Sequence, residues 1–409
     1  MQWIPLVRAN TPEQKWALQT HPPDHVLVME AQGRTNTTES LLVDSNAAQV
    51  LTAAGVDTYL MTARCSPRVH QWAQQHGLTL LMTRFDLQDQ LENKLWFDGF
   101  LRAHGLPVPP RMPLPLGATD WQGPVAIQEP DSLGGEGTFL VRAPDQLAQL
   151  WGQGHLQPGR PYLTRALLPG QAFGITVFVD ASLTLLSAIR QQCYAPATQH
   201  LLFAGVQWAT ALPDPLRQQL SRIFLRLGRA LREVEFRGFA NVDFLLDPQQ
   251  NVWILECNPR LSAATPQLAR HRQTTGGFDL TERFEDVEFL SRPEAATIDE
   301  QGIAQSDFAG STLDLAVPPS LHGYRLTRVL PSGRYTARDG HLLYLGAELR
   351  DPLALGEFQL VALAQPGDVL QAEQCVATVQ ATVPLYDDAG QLLPDFAALF
   401  SNVWSSDAA

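Results

Sequence analysis

Lysine is nearly missing from this chain: of its 29 basic residues only Lys15 and Lys94 are lysines, and the rest are arginines. Cationic charge is scarce altogether, since 42 acidic residues leave a formal net charge of −13. That balance excludes a nucleic-acid binder of the usual kind, which meets phosphate with a basic surface. Cysteine is sparse too. Cys65, Cys193, Cys257 and Cys375 are scattered without CxxC spacing, which excludes a zinc ribbon or a secreted disulfide scaffold and predicts reduced thiols in a cytoplasm. No segment approaches the roughly 18 uninterrupted apolar residues of a membrane span, and the first residues carry Pro5 and polar side chains in place of an apolar leader. A soluble, cytoplasmic protein with no membrane partner is therefore expected. The 10 histidines show no HExxH or related spacing, and no Ser-His-Asp or Cys-His arrangement or internal repeat stands out.

What is present is ample apolar material. With 409 residues and 45% hydrophobic content, the chain can bury large cores as two to four packed units. The first ninety or so residues alternate strand and helix, with strands over 25–30, 57–62 and 78–82. Ser45 opens a helix through Ala54, and Ser66 caps another with Pro67 in its first position. Such alternation predicts a small parallel sheet with helices on its faces. One amphipathic helix is predicted over 87–104, ended by Gly105 and followed by a proline-rich extended run, 107–115. Strands dominate 124–205, with one helix near 145–151. Asp214 and Pro215 open a long helix whose buried stripe is Leu216, Leu220, Ile223, Phe224, Leu227 and Leu231. Residues 285–310 read as a polar linker, and 311–400 as short strands with Pro-Gly turns such as 365–368.

The stretch from Arg237 to Arg260 carries the chemistry. Apolar runs at 239–246 and 252–257 flank the turn residues 247–251, which is a hairpin signal. A turn centred between Gln249 and Gln250 sets Asp243 opposite Glu256, with Cβ atoms about 5 Å apart. Asn258, two residues beyond Glu256, projects from the same face, while Cys257 turns away into the core. Two carboxylates this close repel and lose hydration unless a cation neutralises them. An all-oxygen donor set suits magnesium, which shares its shell with waters and nucleotide phosphates. A hairpin with merely solvated polar residues is the alternative, but turn chemistry alone does not place Glu, Asn and Arg at alternate positions of one strand exit.

Gly238-x-x-Asn-Val-Asp-Phe followed by Leu-Glu-Cys-Asn-Pro-Arg260 resembles the metal-binding signature of the ATP-grasp superfamily. The resemblance implies magnesium ligands at Asp243, Glu256 and Asn258, and puts Arg260 beside the acyl-phosphate or substrate carboxylate. Lys94, ahead of a Gly-Leu-Pro-Val-Pro109 helix exit, resembles the lysine that reaches the ATP phosphates; a solvated lysine on an amphipathic helix is the plainer alternative. The loop with Gly134, Gly135 and Gly137, between two strands, resembles the phosphate-covering loop, whose glycines let backbone amides approach oxyanions. One departure stands out: the strand before this loop carries Gln128 where the family usually has a second phosphate-binding lysine. Glutamine supplies a hydrogen bond but no charge, and Arg142, Arg165 and Arg190 remain as candidate replacements. Residues 161–170 resemble the hinge between the two ATP-grasp halves, with backbone groups from Leu163 through Thr164 and Arg165 to Ala166 facing adenine. Arg165, Gln171 and Ala172 stand where the family often has glutamates, including the one for the ribose. His271 and Arg272 are weak candidates for the acceptor side.

The expectation is thus an α/β chain with an ATP-grasp fold, two α+β subdomains clasping ATP. It comprises a pre-ATP-grasp α/β domain at 1–88, the ATP-grasp domain at 89–285 with a lid at about 118–168, a linker at 286–310, and a β-rich domain at 311–409. The implied activity is ATP- and magnesium-dependent ligation of a small-molecule carboxylate to an amine through an acyl-phosphate, with manganese as an alternative metal and a homodimer as an admissible assembly. Carboxylation or carboxylate–thiol ligation on the same scaffold, and a catalytically impaired ATP-binding regulatory partner, are the alternatives.

Overall fold

The computed structural model describes residues 6–8, 26–30, 38–60, 64–132, 135, 137–195, 202–208, 212–262, 299–303, 310–347 and 353–407. At the N-terminal end, β1 (Leu6–Arg8) pairs in parallel with β2 (Leu27–Met29), and β3 (Thr58–Leu60) pairs in parallel with β4 (Thr79–Leu81). Helices α1 (Thr38–Val43), α2 (Ala47–Ala53) and α3 (Pro67–Gln75) pack Leu42, Leu51, Val69 and Trp72 into one core. The alternation predicted one small parallel sheet; among the described residues the strands form two separate parallel pairs, and β1 was not anticipated. Ser66 caps α3 by accepting a hydrogen bond from the Val69 amide at 3.2 Å. Ser45 accepts from the Ala47 amide at 2.9 Å, just ahead of α2.

The single helix predicted over 87–104 is two helices, α4 (Phe85–Glu92) and α5 (Lys94–Ala103). Asn93 interrupts them with an extended ψ of 112°, and its side chain accepts from the Trp96 amide at 3.0 Å. Apolar spacing runs smoothly through this point, so periodicity could not see the break; the capping asparagine was the signal. The break makes Lys94 the first residue of α5.

Three antiparallel strands follow, β5 (Val125–Gln128), β6 (Thr138–Val141) and β7 (Leu163–Ala166), in the spatial order β6-β5-β7. Helix α6 (Pro144–Gly152) lays Leu147 and Leu150 on Val125, Ile127 and Phe139. Val125 and Ile127 are buried against that helix while Ala126 and Gln128 alternate to the other face, as a half-covered sheet requires.

A 12-stranded sheet, with a separate antiparallel pair of strands near the C-terminal end, dominates the rest of the described residues. It contains β8 (Gln171–Val179), β9 (Leu183–Leu186), β10 (Arg190–Ala195), β11 (Leu202–Trp208), β12 (Gly238–Leu246) and β13 (Val252–Asn258). Helix α7 (Asp214–Glu233) carries Pro215 in its first turn and buries Leu216, Leu220, Phe224, Leu227 and Leu231 against Ile175, Val177 and Phe244. Within the stretch read as a linker, β14 (Asp299–Gln301) pairs in parallel with β9. The C-terminal strands are β15 (Ser311–Ala316), β16 (Arg325–Val329), β17 (Gly333–Arg338), β18 (His341–Gly346), β19 (Glu357–Ala362), β20 (Cys375–Ala381) and β21 (Trp404–Asp407). They have their own core, where Tyr335, Phe358 and Val379 meet Phe400 of α8 (Pro394–Phe400). Yet β15 pairs with β11, so the large sheet runs without interruption from the 238–258 hairpin into the C-terminal region. Among the described residues, no helix is long and apolar enough to cross a membrane.

Candidate active site

The hairpin of β12 and β13 places Asp243 directly opposite Glu256 and Asn241 opposite Asn258. The register reaches this arrangement by a route the sequence did not disclose. Near the turn, Leu246 faces Val252 and Phe244 faces Ile254; a β-bulge at Leu255 then shifts the pairing by one residue. Without the bulge, Glu256 would share a face with Ile254 and Val252 and point into the core. The burial pattern records the slip: Val252, Ile254 and Cys257 are buried, while Leu255, Glu256 and Asn258 are only partly so. Burial also pushes the Cys257 thiol well above its ordinary value, which fits a core residue and not a nucleophile.

Across the sheet, Asp243 lies beside Gly174 of β8, which in turn lies beside Arg190 of β10. Because Gly174 has no side chain, groups from β10 and β12 meet over it. A Cβ there would approach Gln192 Nε2 at 2.8 Å and Arg190 Nη2 at 3.0 Å. Gln192 Nε2 donates to Asp243 Oδ1 at 2.6 Å. Arg190, fully buried, donates to Thr176 Oγ1 and to Asn241 Oδ1 at 3.2 and 3.1 Å. Burial first, and the facing Glu256 charge second, push the Asp243 carboxyl up to about 7 despite Arg190 nearby. A carboxylate pair held in this state is short of positive charge, and two carboxylates beside an amide oxygen fit a hard divalent cation. Among the described residues, no group of three or more His, Cys, Asp or Glu side chains could hold a metal. A cation at Asp243, Glu256 and Asn258 would therefore complete its shell with waters or a ligand's oxygens, as magnesium does.

The remaining polar groups form an ordered surround. Arg260 donates through Nε to Glu92 Oε1 at 2.9 Å and through Nη2 to Asn258 Oδ1 at 3.1 Å. Arg64 reaches the other oxygen of Glu92 at 2.9 Å. Burial raises the Glu92 carboxyl, and Arg260 and Arg64 pull it back. Lys94, 5% exposed, places Nζ 3.5 Å from Glu256 Oε2 and donates to the Ser132 carbonyl. It thus ties the start of the glycine loop to the hairpin. In that loop Gly137 takes φ +64°, and a Cβ there would meet Glu129 at 3.0 Å, so its conformation and its closeness both call for glycine.

These elements enclose a cavity of about 510 Å³. Asp243, Glu256, Asn258 and Arg260 line one part of it; Gln128, Gly135, Arg165 and Ala166 line another. Lys94, Gly137 and Leu163 are not among its lining residues. Leu163 is buried at 1% exposure, and Gly134, His271 and Arg272 lie outside the described residues. The β7 backbone is already engaged: Thr164 O accepts from the Met112 amide and the Ala166 amide donates to Pro110 O, both at 2.9 Å. The chain leaves that sheet at Leu167 and Leu168, which do line the cavity. Sequence reasoning missed Gln192 and the turn containing Ala389 and Gln391, which reaches the cavity from the C-terminal region. Gln191 Nε2 holds that turn through the Asp388 carbonyl at 3.2 Å, and Gln171 donates to the same oxygen. Adjacent glutamines in a buried strand were the available signal for Gln191 and Gln192; nothing marked the turn.

A family model described as the ATP binding domain of the carbamoyl-phosphate synthase L chain matches residues 117–283. The arginine-specific carbamoyl phosphate synthase large chain of Geobacillus stearothermophilus is 28% identical over 215 residues, 50% of this chain and 19% of that protein. The carbamoyl phosphate synthase large chain of Thermomicrobium roseum is 29% identical over 201 residues, 47% of this chain and 18% of that protein. The chain thus spans about a fifth of the length of these curated relatives. Among solved structures, the biotin carboxylase domain of the Hydrogenobacter thermophilus 2-oxoglutarate carboxylase, in complex with MgADP, ADP and bicarbonate, superposes with a TM-score of 0.63 at 11% identity, covering 100% of this chain and 91% of that one.

Proposed function

We propose that this chain, whose fold is that of the biotin carboxylase domain and whose residues 117–283 match an ATP-binding domain, is an ATP-grasp enzyme: an ATP- and magnesium-dependent ligase that activates a small-molecule carboxylate and couples it to an amine. The observation that carries the reading is the facing Asp243–Glu256 pair, with Asn258 alongside, on the wall of a cavity that also meets Gly135 of the glycine loop. Magnesium held by Asp243, Glu256 and Asn258, or manganese in its place, would neutralise charge on the nucleotide's β- and γ-phosphates.

In this reading the substrate carboxylate oxygen attacks the γ-phosphorus and the bond to the β-phosphate oxygen breaks, giving an acyl-phosphate and ADP. The amine then attacks the acyl carbon and phosphate leaves. Positioning and charge do most of this work. Lys94 fixes the first turn of the loop over the phosphates, and the loop glycines let amides approach them. Arg260, steered by Glu92, presents its guanidinium beside Asn258 for the developing acyl-phosphate. Since the β7 backbone is engaged, the adenine would lie against the chain where it leaves β7, after Arg165 and Ala166, at Leu167 and Leu168.

The test is phosphate release by the full chain with ATP and magnesium, over a panel of carboxylic acids, each offered an amine, a thiol or bicarbonate. Release that needs both an acid and an amine is the expected result. Release with bicarbonate or thiol alone would move the chain to carboxylation or thioester formation. Tight MgADP binding with no turnover on any acid would make it a regulatory ATP-binding partner instead.

A further inference from the structure

We propose that the side chain of Arg165 is the cation that meets the α- and β-phosphates, in place of the lysine whose position Gln128 occupies. The inference rests on the nucleotide reading above and adds a residue to that site. On β7, Arg165 pairs with Ala126 of β5, and Gln128 lies two residues along on the same face. The small Ala126 side chain leaves room for the arginine to lie along β5. There Nη2 donates to Gln128 Oε1 at 2.7 Å and to the carbonyl of Leu255, the bulge residue, at 3.0 Å. The guanidinium is therefore set between the strand that precedes the glycine loop and the carboxylate of Glu256.

Two features point to a ligand. Arg165 is among the residues that line the cavity, its side chain is 2% exposed, and its Nη1 has no hydrogen-bond partner. The nearest carboxylate oxygen, Oδ1 of Asp98, stands 3.8 Å away. That aspartate already accepts from Arg102 Nε at 2.9 Å and Arg111 Nε at 2.6 Å, so three guanidinium groups share one carboxylate. A buried guanidinium with a spare donor and too little countercharge is costly, and an entering anion relieves both deficits. Burial lowers its pKa to about 10, which still leaves it charged at neutral pH. The other cations near the cavity have partners: Arg190 on Thr176 and Asn241, Arg260 on Glu92 and Asn258, Lys94 on Ser132 and Glu256. Arg142 stands exposed on the rim.

A purely structural arginine, pinning β7 to the hairpin, is the rival explanation, and calorimetric titration of the full chain with MgADP and with adenosine separates the two. Arg165→Gln should weaken MgADP binding about tenfold or more while adenosine binding changes less than about twofold. Gln128→Leu, which releases the guanidinium without removing it, should shift the ratio of the two affinities in the same direction. Moving the charge back to β5, in the double variant Arg165→Gln with Gln128→Lys, should recover most of the MgADP affinity. Equal loss for both ligands, or a double variant that binds adenosine but does not regain MgADP, would make Arg165 a structural pin. Should Arg165→Gln not fold, an unchanged ratio in Gln128→Leu would overturn the proposal by itself. Wild-type chain that binds no MgADP would sink the nucleotide reading first, whereas wild-type binding with unaltered ratios in the variants would sink only the role of Arg165.

Discussion

The β12–β13 hairpin and the β6-β5-β7 sheet both deliver polar groups to one cavity, and they do so in opposite ways. In the hairpin the polar residues sit at alternate positions of strands that are otherwise apolar, so the chain announces that they share a face, while the bulge at Leu255 decides which one. In the three-stranded sheet the polar group comes from Arg165, set in the short buried strand Leu163–Ala166, and its partners are Gln128, Asp98 and the carbonyl of Leu255, 37, 67 and 90 residues away in sequence. Local alternation reveals a site when its members are cross-strand neighbours. It is silent when a long side chain is aimed by distant backbone.

The largest test of this contrast removes a hairpin carboxylate. Glu256→Ala should lower turnover by about 10³-fold or more, beyond the 10–100-fold typical of groups that merely support a ligand, with far-ultraviolet circular dichroism unchanged; near-normal rates would refute the role given to Glu256. A smaller effect is expected from the row over Gly174. Gly174→Ala should displace Gln192 and Arg190, whose side-chain ends would stand 2.8 and 3.0 Å from the new Cβ. Turnover should then fall by about 10- to 100-fold with little change in melting temperature. A rate within twofold of wild type would show that Gln192 does not orient Asp243.

A half-buried acid away from the site sharpens the comparison. Burial alone raises Asp314 of β15 to about 6. Its folded pKa exceeds the unfolded value, so the folded state binds more protons and stability falls as pH rises from about 4 to about 6. Asp314→Asn should flatten that slope and stabilise the chain by about 1–2 kcal/mol at pH 7, read from denaturant midpoints. An unaltered pH profile would mean that Asp314 keeps its ordinary value. The smallest effect concerns the break between α4 and α5: Asn93→Ala should cost about 1 kcal/mol through loss of the cap, and a change of less than a few tenths would show that Lys94 is positioned without it.

Much of the hairpin was legible beforehand. Its strands, its turn, the Asp243–Glu256 pairing and the outward Asn258 follow from spacing and period. The bulge at Leu255 was not, because two errors in a simple reading cancel: a turn centred one half-step away and one extra residue give the same pairing. The helix break at Asn93 was visible only to someone weighing its capping chemistry above the apolar period. The hinge assignment fell on β7, where the backbone groups of Thr164 and Ala166 offered to adenine are already held by residues 110–112.

From its sequence alone this chain determined where most of its strands and helices lie, and that two carboxylates must confront each other. These are local matters, governed by periods of 2 and 3.6 residues and by turn and cap chemistry. Only the tertiary structure decided that Arg165 turns toward Gln128, that Gly174 opens a space shared by β10 and β12, and that a C-terminal turn carrying Gln391 reaches the cavity. Those outcomes depend on contacts between segments far apart in the chain, where a side chain's direction is set by what packs against it and not by its neighbours in sequence.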